Sequence, residues 1–416
     1  MKLHCYRVLL ASLLLGTSSY TFAKDLPTAR PESVGMSSER LARMDKAIHA
    51  YVDAGRTPGV ITVVMRHGKV VHRDVYGKAD LESGRATRAD DLFRMYSMTK
   101  PITSVALLML YEEGKFQLTD PLSKYYPAVA DMKVFAGTTP QGGVLLDAQK
   151  RPITIQDVFR HSAGFSYGFG ATPVDRAYGD ANLLGTGLDD LMQKLPKLSL
   201  LYQPGDRWMY SVAHDVQAAL VEKLSGQKFD AFVRERIFRP LGMTESYFKL
   251  AAAQKSRQPA EYVNGKDGKL AKNASPLAGN YGDVVLGGFS ISTTAEDYAK
   301  FAQMLLNGGE LDGARLLSPK TVSLMSRNHL TPAAMEAGGV SPGTGYGLGV
   351  SVLLDTAAKG NLGSVGEFGW SGAASTHVLI DPQEDLVAVY CTQLFGGDQA
   401  IRAEFATLLY QAIIGK

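Results

Sequence analysis

The stretch Ser97-Met98-Thr99-Lys100-Pro101 followed by the apolar run Ile102 to Leu110 constrains this chain more than any other. A run this apolar leaves no face for water, so it predicts a helix buried in a core, ending at Gly114. Proline is tolerated only within the first turn of a helix, so Pro101 places Ser97 at the helix N-terminus, where free backbone N–H groups point outward. Positions three apart share a helix face, so the Ser97 hydroxyl and the Lys100 amine can meet. A serine hydroxyl is a weak nucleophile, and a neighbouring amine that has lost its proton can activate it. Free lysine titrates near ~10.4, so such a base requires burial or nearby positive charge to lower its pKa.

Ser225-Gly-Gln-Lys228 and Ser246-Tyr-Phe-Lys249 share the bare spacing, but neither has this context. Ser225 belongs to a Ser-Gly helix stop, and Ser246 follows the turn-like Pro240-Leu-Gly-Met243.

The chain begins with a charged segment containing Lys2 and Arg7, continues with an apolar core from Val8 to Leu15, and reaches small and polar residues before Ala23. This is the pattern of a secretory signal over residues 1–23, and it predicts a periplasmic or secreted protein. The apolar core is too short to span a membrane, and Cys5 precedes it, unlike a lipidated cysteine. Losing Lys2 and Arg7 lowers the net charge from +3 to +1, which leaves no basic field to argue for nucleic acid. Cys391 is then the one cysteine left; it lies in an apolar strand pattern and reads as a buried, inert thiol.

Leu41, Met44, Ile48 and Val52 recur at helical spacing after the capping residue Ser37. Gly59 to Met65 and Val70 to Tyr76 form a hairpin around Arg66-His-Gly-Lys69. Strands return at Gly345 to Leu353, Glu367 to Ala373, Thr376 to Ile380 and Leu386 to Thr392, and a closing helix carries Ile401, Phe405, Leu408 and Ala412. Hairpins without strand–helix alternation make the sheet antiparallel, so the fold class is α/β (α+β). Residues 24–95 and 285–416 are expected to form one α/β lobe, and residues 96–284 an inserted, mostly helical lobe. The Gly-rich, aromatic stretch Gly164 to Gly185 reads as a long functional loop.

A Ser–Lys pair needs a second proton carrier and an oxyanion hole. Tyr210, on a loop leading into the helical run Val216 to Leu224, supplies a phenol that ionises more readily beside an ammonium. Phe368-Gly-Trp370-Ser371-Gly372-Ala373 has the small residues that let a substrate lie against a strand, and the N–H of Ala373 can join that of Ser97 around an oxyanion.

These stations, in this order, resemble the serine β-lactamase-like superfamily, most closely the class C β-lactamases and the family VIII carboxylesterases. The resemblance runs from about Pro31 to the C-terminus and includes Ile153-Thr-Ile-Gln-Asp157, His161-Ser-Ala-Gly164, Pro240-Leu-Gly-Met243 and Gly287-Gly-Phe-Ser-Ile-Ser-Thr293. It implies that Ser97 is the acylated nucleophile, Lys100 its partner and Tyr210 the general base, with Trp370-Ser371-Gly372 where lactamases carry Lys-Thr-Gly. Val212 stands where lactamases carry the Asn of Tyr-x-Asn, and Trp370 where they carry a lysine. Both departures remove polar recognition of an anionic, peptide-like substrate, so the expected substrate is a small carboxylic ester. β-Lactamase, D-alanyl peptidase and acyl-transfer activities are the alternatives, and no cofactor is expected.

Three rivals are weaker. Gly164-Phe-Ser166-Tyr-Gly168 matches a nucleophile elbow, but that motif needs a preceding strand, and Ile155 to Arg160 reads as a helix. Tyr262-Val-Asn264 lies in a Lys/Gly-rich stretch read as a loop, with no helix after it. The histidines are scattered, which argues against a metal site, and His214 reads as a helix-surface residue.

Overall fold

The computed structural model describes residues 26–275, 284–397 and 399–415. The expected signal segment, residues 1–23, lies outside them. No helix among the described residues is long and apolar enough to cross a membrane.

Seven antiparallel strands form the main sheet: β1 (Gly59–Arg66), β2 (Lys69–Gly77), β3 (Thr344–Tyr346), β4 (Ser351–Leu353), β5 (Phe368–Ser371), β6 (His377–Asp381) and β7 (Leu386–Cys391), in the order β3-β4-β5-β6-β7-β1-β2. The first and last parts of the chain meet at β1 and β7, where Ile61 faces Cys391 and Val63 faces Val389. The hairpin β1–β2 turns through His67 and Gly68, both at positive φ, the two-residue geometry that matches strand twist.

Side chains alternate across a strand, so β1 serves two cores. Val60 and Val64 face helices α1 (Ser38–Asp53) and α6 (Gln399–Tyr410) with Leu41, Met44, Ile48, Phe405 and Leu409. Ile61, Val63 and Met65 face the other way, into a larger core shared with α2 (Thr99–Glu112), α4 (Ala213–Ser225) and α5 (Ala295–Leu306). Ser37 caps α1 by accepting from the Arg40 N–H. Cys391 is buried in β7, and burial pushes its thiol up, away from reactivity.

The helix α2 is buried along Thr99 to Leu110, as its composition requires, and packs against α4. Ser97 does not lie in α2 itself but in a single 3-10 turn, Tyr96–Met98, immediately before it. The short helix α3 (Ile155–Phe159) is held by a capping box between Thr154 and Asp157. Burial alone would raise the Asp157 carboxyl, but Arg151, Arg160 and Thr154 hold it down at about 2.

Two strand readings need correction. Gly345 to Leu353 is not one strand but the hairpin β3–β4, because Gly349 sits at φ +93 and the chain folds back with Gly347 N–H donating to Val350 O. Tyr262–Asn264 is a short strand rather than a loop, paired with Leu270–Lys272 and with Leu394–Phe395.

Candidate active site

The turn before Ser97 is strained and firmly held. Tyr96 adopts φ +45, unusual for a bulky residue and costing on the order of 1–3 kcal/mol. On one side, Met95 N–H donates to Ile291 O at 2.9 Å. The Tyr96 hydroxyl donates to Glu261 at 2.7 Å, and Tyr298 donates to Met98 O at 2.7 Å. These bonds fix the entry to α2, so the Ser97 hydroxyl emerges at a set angle at the helix end.

Three sequence-expected side chains meet there. Lys100 Nζ donates to Ser97 Oγ at 3.0 Å and to the Gly288 carbonyl at 2.8 Å. The Tyr210 hydroxyl donates to the same Ser97 Oγ at 2.5 Å. Lys100 is 1 % exposed, and its ammonium lies 4.5 Å from the centre of the Tyr210 ring and 5.5 Å from that of Tyr167. Cations over aromatic faces in dry surroundings are stabilised by the ring quadrupole. A hydroxyl bonded by both an amine and a phenol has beside it two groups able to exchange its proton, as activation of a serine requires.

The strand end is tied to this turn. Gly372 N–H donates to Thr376 O at 2.8 Å, and the Thr376 hydroxyl donates to Met95 O at 3.2 Å. A Cβ at Gly372 would overlap Thr376 Oγ1 and Met95 O, so only glycine permits this approach. The Ala373 carbonyl accepts from Gly396, while its N–H has no partner among the described residues. The Ser371 hydroxyl is bonded to His377 Nδ1 at 2.8 Å, and burial lowers that imidazole to about 3. Val212 is buried in the core as the N-cap of α4.

An aromatic wall stands beside Ser97. Both of the chain's two tryptophans belong to it: the Trp370 ring centre lies 5.7 Å from that of Tyr210 and 5.1 Å from that of Tyr346, and Trp208 stacks 6.2 Å from Tyr210. Trp208, Tyr346, Trp370 and Ser371 also line a cavity of about 670 Å³ that continues toward α6.

Behind Lys100, beside Tyr167, lie three groups to which sequence reasoning gave no role: Asp215, Gly288 and His161. His214 is buried, not on the helix surface, with Nε2 3.2 Å from Ser104 Oγ. Burial, then neighbouring His161 and Lys100, lowers His214 well below the ordinary imidazole range, and His161 is lowered in the same way by burial and Lys100. The signal for this layer was present in His161-Ser-Ala-Gly164 and Gly287-Gly288, but its partners lie far apart in sequence.

The rival serines have structural partners. Ser166 Oγ donates to Asp175 at 2.6 Å and accepts from Gly168 N–H, closing a loop beside the helix Pro173–Asp180. Ser225 donates to Val221 O, and Lys228 pairs with Glu222 and Asp189. Of the aromatics around Ser166, Tyr167 reaches the Lys100 site, Phe165 is buried in the core, and Phe169 is 86 % exposed. No group of His, Cys, Asp and Glu able to hold a metal occurs among the described residues.

The model of the beta-lactamase family matches residues 44–411. Protein Rv1367c of Mycobacterium tuberculosis is 33% identical over 359 residues, covering 83% of this chain and 88% of that protein. The lovastatin esterase of Penicillium rubens is 30% identical, covering 84% and 92%. Among solved structures, EstCE1, described as a hydrolase with promiscuous acyltransferase activity, superposes with a TM-score of 0.77 at 23% identity, covering 89% of this chain and 99% of its own.

Proposed function

Because the chain belongs to the beta-lactamase family and is a serine hydrolase of that fold, we propose that it cleaves small carboxylic esters through an acyl-enzyme at Ser97. The observation that carries this reading is Ser97 Oγ held between Lys100 Nζ at 3.0 Å and Tyr210 OH at 2.5 Å. Tyr210, as phenolate beside the Lys100 ammonium, takes the Ser97 proton as Oγ bonds to the ester carbonyl carbon. The carbonyl oxygen gains the negative charge and is received by the N–H groups of Ser97 and Ala373. Collapse expels the alcohol, which leaves with the proton from Tyr210. Water then repeats the sequence on the acyl-enzyme, giving the carboxylic acid and restoring Ser97.

The wall of Trp208, Tyr346 and Trp370 favours a neutral, partly apolar substrate. Trp370 offers no positive charge to an anionic lactam, and the buried Val212 offers no amide. Lost polar partners cost ~1–3 kcal/mol each, roughly ten- to a hundredfold apiece. These losses favour a family VIII type of carboxylesterase over a lactamase. Residues 24–95 with 285–416, and residues 96–284, are the two lobes whose junction holds the site. Residues 1–23 direct export to the periplasm or beyond, so the mass of protein recovered outside the cytoplasm should start at Lys24.

The test is purified protein on p-nitrophenyl butyrate and on nitrocefin. We expect ester kcat/KM to exceed lactam kcat/KM by orders of magnitude, and Ser97→Ala to abolish turnover and fluorophosphonate labelling while Ser166→Ala keeps both. Equal efficiency on nitrocefin, or labelling lost with Ser166 instead, would overturn the reading.

A further inference from the structure

Lys100 is a buried cation that reaches no carboxylate at ion-pairing distance among the described residues; its oxygen partners are Ser97 Oγ and Gly288 O. An isolated buried ammonium is costly, by several kcal/mol after relaxation, so its charge needs compensation nearby. The other main-chain group of Gly288 leads to that compensation. Gly288 N–H donates to Asp215 Oδ1 at 2.8 Å, and Asp215 is wholly buried in the first turn of α4, where a helix favours negative charge. Its second oxygen, Oδ2, has no hydrogen-bond partner among the described residues.

The approach is close enough to require glycine. A Cβ at Gly288 would stand 2.9 Å from Tyr167 OH and 3.0 and 3.1 Å from the two Asp215 oxygens. At Gly287 it would overlap His214 O. The loop is therefore pressed onto α4 so that one residue spans acid and cation.

We propose that Asp215 is the counter-charge of Lys100, acting through the main chain of Gly288: it fixes the carbonyl that receives the ammonium and keeps that ammonium charged, which leaves Tyr210 to take the Ser97 proton. The proposal rests on the Ser97, Lys100 and Tyr210 reading above. Asp215 is a positioning residue, since it touches neither Ser97 nor the reacting bond.

The groups facing this knot come from every element packed on it: Tyr167 and His161 from the loop after α3, Tyr210 and His214 from the entry and first turn of α4, and Tyr346 from β3. Burial keeps both histidines neutral, and it raises the phenols of Tyr167 and Tyr346 well above their ordinary value. None of these four groups carries a charge that could substitute for Asp215. Burial pushes the Asp215 carboxyl up to about 6 against the opposing pull of Lys100, so it remains ionised at neutral pH.

The test is the pH dependence of Ser97 labelling by a fluorophosphonate, alongside kcat/KM for p-nitrophenyl butyrate, in wild type and Asp215→Asn. Asparagine keeps an oxygen for Gly288 N–H and removes only the charge. Loss of a buried negative charge makes every neighbouring acid release its proton more easily, so the profile should move to lower pH by about one unit, with a lowered maximum. A variant profile that superposes on wild type after scaling would overturn the proposal. Labelling needs no ester substrate, so a protein that labels at Ser97 yet cleaves no ester would overturn the function and still test Asp215. If Asp215→Asn does not fold, the double variant Lys100→Met with Asp215→Asn removes both charges and should recover thermal stability. A double variant no more stable than the single one would also overturn the proposal.

Discussion

A single oxygen, Ser97 Oγ, accepts from both Lys100 and Tyr210, so the two donors cannot be independent. Loss of either leaves the hydroxyl with one partner and changes the charge felt by the other. Tyr210→Phe and Lys100→Ala should each lower kcat by at least ~10², the usual scale of acid–base catalysis. Their double variant should lose much less than the product, because groups that act as a unit do not add. Near-wild-type turnover in Tyr210→Phe, measured on a p-nitrophenyl ester, would remove the phenol from the mechanism.

At the scale of elements, the site depends on how closely β3–β4 approaches α2. Gly349 sits at φ +93, and a Cβ there would overlap the Ser104 side chain and lie 3.1 Å from His214 Nε2. Gly349→Ala should therefore destabilise the fold by about 1–3 kcal/mol through strain and overpacking. It should also lower activity, because α2 carries Lys100. A urea midpoint and kcat equal to those of wild type would show that the contact relaxes freely. The same hairpin marks what sequence can reveal. The helix α1 and the hairpin β1–β2 are legible because capping, periodicity and turn residues all act within a few positions. The division of Gly345 to Leu353 is hidden because Gly349 answers to Ser104, on a distant helix. Ser97, Lys100 and Tyr210 stand out by residue type and local context, whereas Asp215 acquires its partner 73 residues later, and the burial of His214 depends on His161 and Ser104.

At the scale of the whole molecule, the C-terminal helix is pinned to the sheet by a shared proton. The Tyr410 hydroxyl of α6 lies 2.6 Å from Glu367 Oε2, just before β5, and 2.7 Å from Asp381 Oδ2 at the end of β6. One hydroxyl hydrogen cannot serve two carboxylates, so a second proton must lie among the three groups. Asp381 Oδ1 already accepts from the N–H groups of Gln383 and Glu384, so this carboxyl has donors that Glu367 lacks among the described residues. Glu367 therefore carries the proton, and burial, reinforced by the Asp381 charge, raises its carboxyl to about 7 from 4.5 against the opposing Tyr410 hydrogen bond. A carboxyl whose folded pKa lies above its unfolded value stabilises the fold fully below pH ~4.5, and this contribution fades as pH rises toward 7. The buried histidines His161, His214 and His377 work in the opposite sense, losing stability as pH falls below ~6.5, so wild type alone would not isolate the effect. The difference between wild type and Glu367→Gln cancels them. Glutamine can donate as the protonated acid does but cannot ionise, so its stability relative to wild type should rise by a few kcal/mol between pH 5 and pH 8. Urea unfolding at the two pH values measures this directly, and a difference that stays constant would place the proton elsewhere.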